Sequence, residues 1–232
     1  REVGKDVKVT EVLGIAAESL ESDFKDQPEI TADLDNTLRV TYLSLGQFES
    51  AERHLVRSLE TRLAIFPRTS IEVASSLNNY AKLLVEKGDL DEAERLYEEA
   101  LRTFRHHLGN YDLRVANVLE NLSYLVAWKA RYDESIDLYD AELNILRRVL
   151  GEKHPEVARI LGKLGSILTV LDKRERAEPL HRKALEILNG VHGPEHPTSR
   201  HRHSISSVRS MQKNPTRPSS SRENRWRSAG RC

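Results

Sequence analysis

Apolar residues recur at intervals of three and four through most of the chain, the spacing of one face of an α-helix, and the pattern breaks at regular intervals. Aligning the chain with itself at a step of 42 residues brings the breaks into register. Gly46, Gly88, Ala130 and Asp172 form one column, and Phe48, Leu90, Tyr132 and Arg174 another two residues later. Ala51, Ala93, Ser135 and Ala177 follow, then Leu55, Tyr97, Tyr139 and His181, then Leu59, Leu101, Leu143 and Leu185. Upstream of the glycine column stand Leu38, Tyr80, Leu122 and Leu164, the small-residue column Arg39, Ala81, Ser123 and Gly165, and the column Tyr42, Leu84, Val126 and Leu168. Each copy breaks twice, so each is expected to be a pair of helices.

Punctuation agrees with the periodicity. Ser70 is placed to cap a helix running to about Glu86, and Asp89 with Glu92 has the form of a capping box for a second helix running to about His107. Gly109, Gly151 and Gly193 fall where helix C-termini need positive φ, and Pro155 and Pro197 fall at first helical positions. The fourth copy departs at Arg174, which replaces an apolar residue, and at Pro179, which predicts a local bend.

A helix hairpin cannot bury its apolar stripe alone, so each pair must stack on the next, with small residues permitting close approach. The predicted fold is therefore all-α: a right-handed α-solenoid of antiparallel helix pairs. Residues 1–28 read as a lead-in with a short capping helix at about Thr10 to Asp23, 29–198 as four repeats of 42 residues, and 199–232 as a degenerate helix followed by a disordered basic tail.

The stretches SLNNYAKLL (Ser76 to Leu84), GDLDEAERLYEEALRTF (Gly88 to Phe104), LGEKHPEVA (Leu150 to Ala158) and HGPEHPT (His192 to Thr198) resemble tetratricopeptide repeats, in particular the long-period kind of kinesin light chains. Separately, residues 9–55 resemble the segment that leads into the repeat array of bacterial eukaryotic-like serine/threonine protein kinases. That second resemblance implies a parent protein with an upstream catalytic domain. The chain itself has no His-Arg-Asp loop, no Asp-Phe-Gly and no glycine-rich loop before a strand. It opens on Arg1 and its only methionine is Met211, which reads as a fragment; the segment is expected in the cytoplasm, or outside it if the parent is a membrane-spanning kinase.

Composition sharpens this. Of the residues, 31% are charged and only 6% aromatic, which suits a thin architecture with much surface. The balance of 36 basic and 36 acidic residues is a cancellation, because residues 200–232 hold nine Lys and Arg against Glu223, leaving the first 199 residues at −8. No apolar run approaches the roughly 18 residues of a membrane span. With Cys232 as the one cysteine, no intrachain disulfide or Cys-based zinc site can form. Gly162-Lys163 lacks the rest of a phosphate loop, and no nucleophile elbow or zinc-protease motif occurs. His192, His196, His201 and His203 raise zinc, but His154 and His196 share a column directly before prolines, so a linker role accounts for His196. No catalytic residue, cofactor or metal is expected, nor specific nucleic-acid binding or membrane contact.

The candidate chemistry is a surface. In a stacked solenoid the first helix of each pair lines the concave side. This selects Ser75, Asn79, Lys82 and Glu86 in the second copy, Asn117, Asn121, Tyr124 and Trp128 in the third, and Arg159, Lys163 and Ser166 in the fourth, with Asn78 and Asn36 beside the stripe. Asn79 and Asn121 share a column that changes to Thr37 and Lys163 at the ends. By resemblance to kinesin light chains, these two asparagines imply a device that hydrogen-bonds the backbone of an extended peptide. An amide donates and accepts at once, so it satisfies a peptide bond whatever the side chains. Tyr124 and Trp128 offer an aromatic anchor, while Lys82, Arg159 and Lys163 favour an acidic ligand or a free carboxylate. The expected function is a non-catalytic scaffold for a protein or peptide partner. The alternatives are the regulatory part of a serine/threonine kinase and a peptide-sensing transcriptional regulator, the latter needing a helix-turn-helix segment absent here.

Overall fold

A computed structural model describes residues 26–192 without interruption, together with residues 12–15, 17, 19, 23 and 24. Among the described residues from 28 to 192 there are eight helices: α1 (Pro28–Ser44), α2 (Phe48–Ile65), α3 (Ile71–Lys87), α4 (Leu90–Leu108), α5 (Leu113–Trp128), α6 (Tyr132–Leu150), α7 (Pro155–Val170) and α8 (Arg174–His192). Two compact units divide within α3, after Leu84. No helix among the described residues is long and apolar enough to cross a membrane.

In the first unit α1 packs on α2. Leu38, Tyr42 and Ala51 form a buried cluster with Ala17, and Leu13 packs against it. Beside this cluster lies a buried charge: Asp35 on α1 is fully enclosed and accepts from Arg57 Nε at 2.7 Å, with His54 Nδ1 at 2.8 Å, both from α2. The His54 ring stacks on Tyr42, centroids 5.3 Å apart. Further along α2, Ser58 Oγ donates to the Ala32 carbonyl at 2.7 Å, and Arg62 donates to Asp33 and to Ser76 Oγ.

In the second unit α4 to α8 pack each on the next. The fully buried side chains include Tyr97, Val115, Val118, Leu119, Leu125, Val157, Ile160 and Leu161, which are the inward positions of a 3.6-residue period. Gly165 is required by contact. A Cβ there would stand 2.8 Å from the His181 ring, so the small-residue column does let α7 and α8 close together.

The glycine column is a backbone device rather than a glycine requirement. Gly46, Gly88, Ala130 and Asp172 all have positive φ, at 71°, 87°, 58° and 56°. After α5, Arg131 N donates to the Val126 carbonyl and Ala130 N to the Ala127 carbonyl, the paired bonds of a Schellman motif. The same pair follows α1 at Gln47 and Gly46, and α7 at Lys173 and Asp172. The residue that ends each of these three motifs stands directly before the next helix, so those pairs are joined by three residues, and α3 and α4 by two. Gly109 and Gly151 likewise take positive φ as expected, while Gly193 and Pro197 lie outside the described residues.

The other helix ends follow the sequence with one correction, at Asp89. Val73 N donates to Ser70 Oγ at 3.2 Å, and Pro155 opens α7. Asp89 occupies the position before α4 but makes no capping bond, its ψ of 71° departing from the extended backbone of the capping Asp112 at 145°, and Glu92 pairs with Arg95 instead. α8 runs as one helix from Arg174 to His192 with Pro179 in its interior, where the ring removes one backbone donor.

Candidate peptide-binding surface

Two helices of the second unit, α5 and α7, carry Asn117, Asn121, Tyr124, Trp128, Arg159 and Lys163, and their starting points are fixed by side-chain caps. Asp112 accepts from Arg114 N at 2.8 Å at the head of α5, and His154 Nδ1 accepts from Glu156 N at 3.2 Å at the head of α7. The linker role expected for the His-Pro pair thus has a cause at His154: the imidazole caps the helix and Pro155 occupies the position whose N–H would be unpaired. His196, His201 and His203 lie outside the described residues.

Along α5, Asn117, Glu120, Asn121, Tyr124 and Trp128 follow one another at spacings that keep them on one side of the helix. Asn117 is exposed, Asn121 and Trp128 are half-buried, and Tyr124 is 39% exposed. The Tyr124 and Trp128 rings lie 6.1 Å apart at 56°, an aromatic step with an open edge. Trp128 Nε1 is buried without an acceptor among the described residues.

On α7, Arg159 and Lys163 stand one turn apart, and both engage Glu120. Arg159 donates to both Glu120 oxygens, with Nη2 at 2.9 Å from Oε2, and its Nε donates to Glu156 at 2.7 Å. Lys163 Nζ also donates to Glu120 and sits 5.9 Å from the centroid of the Tyr139 ring. The basic pair that the sequence offers to an acidic ligand therefore already holds a carboxylate. Burial pushes the Glu120 carboxyl up, but the hydrogen bonds and charges of Arg159 and Lys163 outweigh it and hold the group below the usual range.

Beneath this pair lies Glu142 of α6, 1% exposed. Its Oε1 is 3.9 Å from Arg159 Nη2, and its Oε2 has no hydrogen-bond partner. Burial, and then the Glu120 charge, push its carboxyl up to about 8. Burial also raises the neighbouring Tyr139 hydroxyl, reinforced by Glu142 and Glu120.

Asn78, Asn79 and Lys82 sit on α3 in the first unit. Lys82 is exposed and Asn79 half-buried, but Asn78 is buried at 8%, on the packed side of the helix. Asn78 is therefore a packing residue by position.

Glu120, Glu142 and Asp35 escaped the sequence reading, although two of them left a mark. Column by column, Glu142 falls with Ser58, Ala100 and Ala184, all buried and small, and Asp35 falls with Leu77, Leu119 and Leu161, all buried leucines. A carboxylate in a column otherwise small or apolar is a legible signal once the column is known to face inward.

The arrangement defines an all-α tetratricopeptide-type solenoid fold. A scan of family models matches the tetratricopeptide repeat at residues 31–112 and 114–187. The chain belongs to the tetratricopeptide repeat family. Among solved structures it is similar to BtubC (BKLC) from P. vanneervenii, at 18% identity over 95% of this chain and 91% of that one, with a TM-score of 0.67. It is also similar to a Podosopora anserina putative kinesin light chain with nearly identical TPR-like repeats, at 17% identity over 78% and 84% and a TM-score of 0.59. MamA matches at 16% identity over 79% of this chain and 96% of that one, TM-score 0.55. At these identities the likeness shows the fold. A search of curated proteins gave no match. Tetratricopeptide repeats bind proteins or peptides, and the family is generally non-catalytic.

Proposed function

We propose that the chain is a non-catalytic interaction module that holds an extended peptide or protein segment along the first helices of its repeats. The observation that carries this is the surface of α5 and α7, where the Tyr124–Trp128 step and the Glu120–Arg159–Lys163 cluster share one side of α5 with Asn117 and Asn121. Aromatic rings supply desolvated contact area at low entropic cost, and amides meet backbone groups of any sequence. Asn79 and Lys82 would serve in the same way in the first unit. An acidic residue of the ligand would share Arg159 and Lys163 with Glu120, exchanging one carboxylate for another rather than filling an empty site.

The test is a pulldown with the whole chain as bait, repeated with Asn121→Ala and Tyr124→Ala combined. Partner recovery should fall at least tenfold while the thermal midpoint stays within a degree or two of the parent, since neither residue is in the core. Undiminished recovery would remove α5 from the site. Residues 9–55 favour a second role, as the regulatory part of a serine/threonine kinase, which kinase motifs encoded upstream of Arg1 would decide.

A further inference from the structure

Resting on the peptide-binding role of α5 and α7, a second property follows from the carboxylate beneath them. Three carboxylates, Glu120, Glu142 and Glu156, surround two cations, Arg159 and Lys163. With all five ionised the cluster carries one negative charge in excess, and with Glu142 neutral it balances. Glu142 is the member that gives way, because it is enclosed and one of its oxygens has no partner, whereas Arg159 engages both oxygens of Glu120 and pairs with the half-buried Glu156. Desolvating an unpaired carboxylate is costly enough that the group takes up a proton instead.

Arg159 stands between the two sides. Its guanidinium faces Glu120 and Glu156 on the open side and lies 3.9 Å from Glu142 on the closed side, about 1 Å beyond an ordinary charged hydrogen bond. The groups that face Glu142 are Glu120 from α5 and Arg159, Lys163 and Glu156 from α7, with Tyr139 on its own helix; Tyr139 in turn faces Tyr124. A cation within reach stabilises Glu142 once it ionises, and Arg159 lies 3.9 Å from it.

We propose that the protonation of Glu142 sets the ligand charge this surface accepts: with the carboxyl neutral, Arg159 and Lys163 hold an acidic side chain of the partner, and with it ionised Arg159 turns inward and the acidic ligand is released. The partner is accordingly a segment bearing Asp or Glu where it crosses α7, and its binding weakens as the solution becomes alkaline. Burial places the transition near pH 8, so a neutral solution lies on the binding side of it. The column supports a specific role, since Ser58, Ala100 and Ala184 hold the equivalent positions in the other copies and a packing requirement would call for a small residue.

The probe is a fluorescein-labelled, end-capped hexaglutamate peptide, titrated into the full chain at low salt at pH 7.0 and pH 9.0. The parent should bind roughly tenfold more weakly at the higher pH, the effect of one nearby charge. Glu142→Gln, neutral at both and nearly isosteric, should bind equally at both and match the parent's pH 7.0 affinity. Urea midpoints establish that the variant is folded, and the Glu142 carboxyl carbon followed by NMR in the parent should titrate with a midpoint near 8. Equal binding by the parent at both pH values, a pH dependence retained in Glu142→Gln, or a Glu142 midpoint in the ordinary carboxylate range would each overturn the gate while leaving the peptide-binding role intact. Failure of the parent to bind the probe at either pH would overturn the acidic-ligand role itself, and the gate with it.

Discussion

At the residue scale the first repeat has exchanged two leucines for an ion cluster. Asp35 falls in the column of Leu77, Leu119 and Leu161, and His54 in that of Leu96, Leu138 and Leu180. The two replacements meet at 2.8 Å, and Arg57 completes the charge balance. A buried ion pair stabilises little over apolar packing of the same volume, but losing one partner strands the rest. Asp35→Ala should therefore cost about 3–5 kcal/mol, while Asp35→Leu with His54→Leu, which copies the other repeats, should match or exceed the parent. Urea melts of the two variants check this, and a double variant as weak as the single one would count against it. The cluster was not read from the sequence because periodicity is recognised where copies agree. Asp35 and His54 are positions of disagreement, and nothing in one sequence says that such a column is buried until its other members are seen in the core. Tyr124, Arg159 and Lys163 were legible because surface position follows from helical spacing alone. What spacing could not supply was Glu120 between the two cations, since a contact from one helix to another depends on how their axes pack.

At the element scale the helices were largely legible, since their lengths and ends follow from periodicity and caps that act within a few residues. The αL column shows where that limit lies. Glycine at positions 46 and 88 announced a turn, but Ala130 and Asp172 adopt the same conformation without a glycine's freedom. Asp tolerates the left-handed region through local hydrogen bonding, whereas alanine is strained there by its Cβ. Ala130→Gly should consequently stabilise the chain by about 0.5–1 kcal/mol, the relief of strain outweighing the greater entropy of the unfolded glycine. Thermal unfolding monitored by circular dichroism measures it. A lower midpoint would mean that the turn between α5 and α6 is not held in this conformation.

At the scale of the whole molecule, acidic and alkaline limits have separate causes. Hydrogen bonds from Lys129 and Arg131 outweigh burial and hold Glu94 below its usual range, and Arg159 and Lys163 do the same for Glu120. Such depressed groups contribute stability that is present above their ordinary pKa and lost as pH falls. Glu142 acts in the opposite sense. Raised from 4.5 to about 8, it contributes stability that is complete below about pH 4.5, declines as pH rises, and is exhausted above about pH 8. The urea midpoint should thus decline between pH 5 and pH 8.5, and Glu142→Gln should flatten that decline by an amount on the order of 3 kcal/mol. A parent whose stability is level across this interval would show that Glu142 titrates as an ordinary surface glutamate.

The turns of two or three residues between paired helices also bear on how the chain reaches its structure. Closing so short a loop costs little chain entropy, and the bonds that fix it run between backbone groups five residues apart or fewer. The two helices of such a hairpin thus find each other through contacts that are near in sequence, the class of topology that folds in microseconds to milliseconds rather than seconds. A new repeat can bring its two helices together without waiting for contacts distant in sequence, and the next pair then stacks on it to bury its apolar stripe.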